Sequence, residues 1–348
     1  MMNSSENTSR CNEQRRSFLK LSGLLGVGAA ATAVLPVAKA EAVFFGKQEY
    51  KVTDTRLIMG SYFNITAIHS SRDQAQHVIG LANEEIDRLC KLLSRHDSAT
   101  PLSQLNASGS LKSAPAEVLE VVARSLYLNR QTNGAFDITV KPVLDLYKSH
   151  FDAGKTPTEA EINALLPRMG SEHLRFAAGD ISFGRDGMGV SLDGIAPGYI
   201  VDRASQVLTA NGVTNHLINA SGDILVSGLA EKGKPWTVAI QDPSKQKGYP
   251  DVVRLSRGAI STSGDYEIFY DKERLFHHIV DHRTGHSPTT LTSATVTAAT
   301  CMDADALATS LCVMQPEQGV AMINSMPGHG CYLIGRDGTT RKSKGWQA

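Results

Sequence analysis

The side chains best able to do chemistry are concentrated in residues 261–309. Asp305 and Thr309 stand four residues apart in a segment of helix-forming residues, Ala304-Asp305-Ala306-Leu307-Ala308-Thr309. At this spacing both oxygens face the same side of a helix. A carboxylate, a hydroxyl and a main-chain carbonyl are oxygen ligands that suit Mg²⁺, with phosphate oxygens completing its shell. Alone, the pair is more typical of an exposed Asp and a Thr that bonds its own helix, so the interpretation depends on its neighbours.

Three other segments carry polar or glycine-rich patterns. Gly194-Ile195-Ala196-Pro197-Gly198 opens a predicted helix whose N–H groups could receive a phosphate. Thr262-Ser263-Gly264-Asp265 predicts an anion-binding turn or simply a polar turn, and Gly134-Ala135-Phe136-Asp137 predicts a turn able to hold a ring and a ribose or adenine edge. Each pattern is weak alone. Together they favour a nucleotide or dinucleotide and metal-assisted phosphoryl chemistry.

Adjacent His277 and His278 lie in the same stretch. If this segment is a strand, only one of the two can face the site. A single histidine is more often structural than catalytic.

The elements that must position these groups alternate without a regular βαβ pattern, which predicts an α+β fold. Apolar periodicity predicts helices at about 73–93, 116–131, 303–314 and 316–325, and a further helix opens within 194–199 and runs to about 210. Strands are expected at about 51–53, 62–68, 216–218, 236–240, 252–255 and 331–334, with a hairpin in 173–192 that turns at 184–187. Residues 94–114 are rich in Ser, Asn and Gly and are expected to form a loop.

Composition excludes some classes of protein. The 348 residues are 41% hydrophobic and 20% charged with a formal net charge of zero, enough for one large or two ordinary domains. A nucleic-acid-binding protein normally has a basic excess. Two Trp and 6% aromatic residues also argue against a stacking platform for single strands. No nucleic-acid partner is therefore expected.

The N-terminal segment resembles an export signal. Arg15-Arg16-Ser17-Phe18-Leu19-Lys20 precedes a Gly- and Ala-rich run, and Ala38-Lys39-Ala40 fits a cleavage site. Lys20 and Pro36 interrupt the run, which weakens the alternative of a membrane anchor. We expect a cleaved twin-arginine signal at 1–40, a mature domain at 41–348 and export to the periplasm, with association to the inner membrane left open.

Four cysteines follow this segment: Cys90, Cys301, Cys312 and Cys331. They form no Cys-x-x-Cys pair and sit among apolar residues. Buried free thiols are therefore expected rather than a metal site.

Seven motifs occur in one order and together resemble the ApbE family of FAD:protein FMN transferases. They are Met59-Gly60, Gly134-Ala135-Phe136-Asp137, Gly194-Ile195-Ala196-x-Gly198-Tyr199-x-x-Asp202, Asn219-x-x-Gly222-Asp223, Thr262-Ser263-Gly264-Asp265-Tyr266, His278-Ile279-Val280-Asp281-x-x-Thr284-Gly285 and Ala304-Asp305-Ala306-Leu307-Ala308-Thr309. The resemblance runs from about residue 55 to 334. It implies a single α+β, T-fold-related domain.

The resemblance implies an enzyme that uses FAD and Mg²⁺, releases AMP and joins FMN by a phosphoester to a threonine of an acceptor protein. The residues implied for the FAD site are Met59, Ala135, Phe136, Asp137 and Ile279. Those implied for Mg²⁺ are Gly194 (through its carbonyl), Asp305 and Thr309. We name His278 and Asp265 as candidates for accepting the threonine proton.

The chain departs from the family pattern at several positions. Ser191 and Pro197 stand where the family usually has Asp and Lys, so Asp193 is expected to supply the carboxylate of the FAD site. Pro197 also lacks an N–H donor. His96 takes the place of an aromatic residue that stacks on the flavin, and His282 replaces a proline.

Two other functions remain open at this point. One is an FAD pyrophosphatase of the same fold, which would use water in place of an acceptor. The other is a non-catalytic flavin-binding maturation factor. For the transferase, the expected partners are FAD, a periplasmic or membrane-bound acceptor flavoprotein with a target Thr, and the Tat export machinery.

Overall fold

The computed structural model describes residues 41–45, 49–58, 61–244 and 248–347. The predicted export signal at 1–40 and Met59 lie outside the described residues. The helices described are α1 (Arg72–Leu93), α2 (Pro101–Ser108), α3 (Ala116–Gln131), α4 (Lys141–Asp152), α5 (Glu159–Leu165), α6 (Ala196–Ala210), α7 (Cys301–Val313) and α8 (Pro316–Asn324). None of these helices is long and apolar enough to cross a membrane.

Fourteen strands are described, nine of them in one antiparallel sheet. The strands are β1 (Glu41–Phe45), β2 (Glu49–Ile58), β3 (Ser61–His69), β4 (Ser110–Leu111), β5 (Leu174–Ala177), β6 (Asp180–Phe183), β7 (Asn215–Ala220), β8 (Asp223–Ser227), β9 (Trp236–Ala239), β10 (Val252–Leu255), β11 (Arg257–Gly264), β12 (Leu291–Ala298), β13 (Gly330–Gly335) and β14 (Thr340–Lys342). The main sheet has the order β1-β2-β3-β7-β8-β11-β12-β13-β14, while β9 pairs with β10 and β4-β6-β5 form a small sheet.

Long insertions between neighbouring strands supply the helices. Helices α1 to α6 and the small sheet connect β3 to β7, and α7 and α8 connect β12 to β13. Every strand pair is antiparallel. The α+β prediction is confirmed.

Helix α1 shows how the sequence produces the helical layer. Its N-cap Ser71 accepts a hydrogen bond from Gln74 N at 3.3 Å, which satisfies one of the free N–H groups of the first turn. Its buried residues recur at helical spacing: Ala75, Val78, Ile79, Ala82, Ile86, Leu89 and Leu93. They join the main hydrophobic core with residues of the sheet such as Ile65 and Ala67. Apolar burial therefore holds this helix on the sheet.

The opposite face of the sheet is covered by the β9–β10 hairpin. In β11, Ala259 belongs to the helix-side core, whereas the next residue, Ile260, packs with Val238 and Trp346. Successive strand residues point to opposite faces, so a strand buried on both sides carries apolar residues at consecutive positions.

Two predictions for the segment between residues 94 and 192 were wrong. Residues 94–114 contain helix α2, which Thr100 caps through Ser103 N at 3.1 Å with Pro101 in the first turn. Thr-Pro is a start signal for a helix, but the polar composition of the segment hid it. The hairpin of β5 and β6 turns at Ala178 and Gly179, both at positive φ, and not at 184–187.

The cysteine prediction is confirmed. All four cysteines after the export segment that the structure describes are free, and Cys301, Cys312 and Cys331 are buried.

A buried histidine joins α6 to β7. His216 is fully buried; its Nδ1 lies 2.9 Å from the carbonyl oxygen of Val213 and its Nε2 lies 2.7 Å from Ser205 Oγ. Because a carbonyl can only accept, Nδ1 carries the proton and Nε2 accepts from the hydroxyl. Burial lowers the pKa of His216 to about 4. The imidazole is therefore neutral in the folded protein.

We predict that His216 makes the protein sensitive to acid. Because its pKa is lower in the folded state, its contribution to stability is complete above about pH 6.5 and declines as the pH falls toward 4. Between pH 7 and 4 the wild type should lose about 2–3 kcal/mol more free energy of unfolding than His216→Gln. Urea unfolding at several pH values measures this. The exposed control His77→Gln should follow the wild type. Parallel pH profiles for wild type and His216→Gln would contradict the prediction.

Candidate active site

Helices α6 and α7 cap each other where their first turns meet. Asp202 of α6 accepts hydrogen bonds from Cys301 N at 2.7 Å and Met302 N at 2.9 Å, the first residues of α7. Asp305 of α7 accepts from Gly198 N of α6 at 3.1 Å. A Cβ on Gly198 would lie 2.4 Å from Cys301 O, so only glycine permits this approach. These three hydrogen bonds hold the turn before α6 against α7.

This contact brings together the three residues predicted to hold a metal. A Cβ built on Gly194 would lie 2.9 Å from Thr309 Oγ1. Asp305 lies one turn before Thr309 on α7, as its spacing predicted. The Thr309 hydroxyl lies 3.2 Å from Ser263 Oγ at the end of β11. Gly194 and Ser263 therefore both lie next to Thr309, so the turn before α6 and the end of β11 meet the side of α7 that carries Asp305 and Thr309.

Other carboxyl groups lie near Asp305 and make its surroundings acidic. Burial raises the pKa of Asp305 well above its usual range, and Asp223 and Glu267 raise it further. Burial likewise raises the pKa of Asp223. Among the described residues, no Lys or Arg lies within ion-pair distance of Asp223 or Asp305. Such a group of carboxylates is stabilised in its charged form by a bound cation.

The donor set therefore fits a divalent cation that shares its shell with a substrate. Within the described ranges, no group of three or more His, Cys, Asp or Glu side chains has the arrangement of a metal site. The predicted set contains one carboxylate, with a hydroxyl and a carbonyl. That composition suits Mg²⁺, which usually keeps open positions for phosphate oxygens and water.

The two adjacent histidines lie in irregular backbone between β11 and β12, not on the expected strand. They still diverge: His277 is buried, and 24% of the His278 side chain is exposed. His278 Nδ1 lies 3.1 Å from the carbonyl oxygen of Ile268, and Nε2 lies 3.9 Å from Glu267 Oε2. With Nδ1 as donor to the carbonyl, Nε2 can act as the proton acceptor.

Asp265, the other candidate base, is held by two arginines. Its carboxylate is 2% exposed, 3.3 Å from Arg274 Nη1 and 3.0 Å from Arg336. The segment before it, expected as a turn, is the end of strand β11. Burial raises the pKa of Asp265, although both guanidinium groups oppose that shift. Its carboxylate is used to join the irregular segment to β13, which favours His278 as the accessible group.

The residues predicted for the flavin are mainly buried. Ala135, Phe136 and Ile279 are 5%, 3% and 3% exposed. The Asp137 carboxylate accepts from Thr139 N at 2.8 Å and Oγ1 at 2.5 Å, Ser171 N at 2.9 Å and Asn129 Nδ2 at 3.0 Å. Asp137 therefore fixes the shape of its own loop.

Three loops nevertheless meet around Asp137. Ser191 N donates to the carbonyl oxygen of Ile138 at 2.7 Å, which ties this loop to the turn before α6. His282 Nε2 lies 3.8 Å from Asp137 Oδ2. Gly134 has a φ of +81°, and a Cβ there would lie 3.0 Å from His282 Cε1. Motifs from three parts of the sequence thus contact one another around Asp137.

Asp193 and His96 both adjoin Arg95. Arg95 Nε donates to Asp193 Oδ2 at 2.7 Å. A cavity of about 320 Å³ lies beside this pair, lined in part by Arg95, His96, Asn106 and Lys141. His96 thus lines an open cavity, as a flavin-contacting residue must.

Several residues of the site received no role from the sequence. Asp202, Asp223 and Ser263 stand inside the recognised motifs, so their motif positions were the available signal. Glu267 follows the Thr262–Tyr266 motif by one residue. Arg95 had no signal, because its partner Asp193 is distant in sequence.

Comparison with known proteins gives a consistent result. The ApbE family model matches residues 59–333. An FAD:protein FMN transferase of Vibrio cholerae is 32% identical over 280 residues, covering 76% of this chain and 81% of that protein. The flavin transferase ApbE structure from Vibrio cholerae superposes with a TM-score of 0.73 at 28% identity, covering 88% of this chain and 98% of that one.

A second solved structure agrees. The ApbE protein of Thermotoga maritima has a TM-score of 0.76 at 26% identity and covers 85% of this chain and 97% of that one. The family match over residues 59–333 includes the contact between α6 and α7, the loop that contains Asp137 and the loop that contains His278. With sequence and fold in agreement, this chain belongs to the ApbE family.

Proposed function

We propose that this protein is an Mg²⁺-dependent FAD:protein FMN transferase that attaches FMN through a phosphoester to a threonine of a periplasmic acceptor flavoprotein. The observation that carries the proposal is the meeting of Gly194, Asp305 and Thr309 near Asp223 and Glu267, whose carboxyl groups raise the pKa of the buried Asp305 further. Relatives that carry the name FAD:protein FMN transferase support the reaction type.

Each residue has a proposed role in the reaction. The Gly194 carbonyl, Asp305 and Thr309 would hold Mg²⁺, which supplies positive charge to the phosphate oxygens as negative charge develops. His278 Nε2 takes the proton of the threonine hydroxyl. The threonine oxygen forms a bond to the FMN phosphorus, and the bond to the bridging oxygen breaks. That oxygen keeps the electron pair and leaves with AMP.

The remaining residues would bind FAD. The proposed set is Met59, His96, Ala135, Phe136, Asp137, Asp193 and Ile279. The Asp137 loop and the His278 loop are joined at His282, so they offer one surface to the ligand. His96 and Asp193 lie beside the cavity near Arg95.

Export remains part of the proposal. The paired arginines at 15 and 16 and the Ala38-Lys39-Ala40 site support a twin-arginine signal at 1–40, handled by the Tat machinery. The mature domain would then be 41–348, acting in the periplasm on a soluble or membrane-bound acceptor.

The transferase is tested by its two products. With FAD, Mg²⁺ and an acceptor domain bearing one target threonine, we expect AMP and an acceptor whose mass increases by FMN and whose flavin survives denaturation. EDTA and a Thr→Ala acceptor are the controls, and both should abolish labelling. AMP release without labelling, at a rate independent of acceptor, would instead show an FAD pyrophosphatase. Intact FAD in all arms would overturn both.

The metal assignment predicts a large effect at Asp305. Asp305→Ala removes the only charged ligand of the proposed set, so AMP release should fall about 100-fold or more. Asp303→Ala is the matched control on α7, because Asp303 pairs with Arg124 on α3. Equal rates for wild type and Asp305→Ala at saturating Mg²⁺ would contradict the assignment.

His278 and Asp265 should respond differently to substitution. His278→Asn should lower acceptor labelling by about 10²–10⁴-fold with little change in stability, because it removes the proton acceptor. Asp265→Asn should lower the free energy of unfolding by about 1–3 kcal/mol, because two guanidinium groups lose a buried partner. Labelling kinetics and urea unfolding of both variants measure this. If Asp265→Asn instead lost labelling without losing stability, and His278→Asn kept its labelling rate, Asp265 would be the base.

A further inference from the structure

Two basic side chains line the cavity that contains His96. Arg95 follows α1 and Lys141 begins α4. Lys141 packs over the chain at Gly189, where a Cβ would lie 3.0 Å from Lys141 Cδ. Both cations thus lie against the segment that leads to Gly194. We propose that Arg95 and Lys141 bind the FMN-side phosphate of FAD.

The position of Arg95 identifies the phosphate. Its Nε donates to Asp193, the residue before the proposed metal ligand Gly194, and it also lines the cavity with His96. If His96 contacts the flavin ring and Gly194 the metal on the diphosphate, the group between them is the phosphate of FMN. A guanidinium suits this group because its N–H donors match phosphate oxygens. This step depends on the proposed binding of FAD.

Both cations of the cavity share one carboxylate, that of Asp145. Arg95 Nη1 lies 3.8 Å from Asp145 Oδ1, and Lys141 is paired with the same carboxylate. Asp145 is 49% exposed, whereas Arg95 is 15% exposed and Lys141 is 23% exposed. A phosphate bound by both cations would therefore compete with this half-exposed carboxylate. Asp145 therefore competes with the ligand, while Asp193 holds Arg95 in position.

A purely structural network would behave differently. If these ion pairs serve only to hold α4 against the turn before α6, loss of any member should weaken flavin binding in the same direction. If the cations bind phosphate, loss of Arg95 or Lys141 and loss of Asp145 should have opposite effects. Binding of riboflavin, which carries no phosphate, should not change on loss of either the cations or Asp145.

The experiment measures dissociation constants of FAD, FMN and riboflavin by flavin fluorescence, with EDTA present so that FAD is not consumed. Arg95→Gln and Lys141→Gln should each weaken FAD and FMN binding about tenfold, as expected for loss of a charged hydrogen-bond donor, and change riboflavin binding less than about twofold. Asp145→Asn should tighten FAD binding about threefold. Arg95→Lys should restore part of the affinity.

The matched control is Lys148→Gln, two turns further along α4, whose pair with Asp152 lies outside the cavity. Its affinities should equal those of the wild type. Equal losses for riboflavin and FAD in Arg95→Gln, or weaker FAD binding in Asp145→Asn, would overturn the inference. A wild type that shows these charge effects but labels no acceptor would overturn the transferase and leave the phosphate site standing.

Discussion

The structure depends on the mutual capping of α6 and α7. A helix begins with N–H groups that have no partner inside the helix, and here each helix supplies a carboxylate to the other. Burial raises the pKa of Asp202 to about 6, but the two N–H groups that it accepts oppose the shift. Asp305 completes the mutual capping by accepting a hydrogen bond from Gly198 N. The same carboxylate belongs to the proposed metal site, so the contact that joins the helices also sets the geometry of the chemistry.

Much of the fold follows from local patterns in the sequence. The range predicted for α3 matches the structure, and those for α1, α7 and α8 differ by one or two residues, because their apolar residues recur at helical spacing. Helix α2 was missed because only Leu102 and Leu105 are buried in it and Ser, Asn and Gln dominate the rest. The order of the nine strands could not be derived, because neighbours such as β3 and β7 are about 150 residues apart in sequence.

The site was predictable where its geometry is local. Asp305 and Thr309 share a side of α7 because four residues make about one helical turn. The acidic surroundings of Asp305 were not predictable, since Asp223 and Glu267 come from other segments. The same reason applies to Arg95, whose partner Asp193 lies on the turn before α6. Arg95 and Lys141, the basic side chains next to the segment 189–193, both come from other parts of the sequence.

In the proposed mechanism, the glycine turn before α6 and the side chains of α7 form one divalent-metal site that holds the diphosphate of FAD. Anomalous diffraction from crystals of the protein with FAD and Mn²⁺ tests this directly. We expect a manganese peak about 2.1 Å from the Gly194 carbonyl oxygen, an Asp305 carboxylate oxygen and the Thr309 hydroxyl oxygen. A peak bound only elsewhere, or FAD ordered in the site with no metal beside its phosphates, would contradict it.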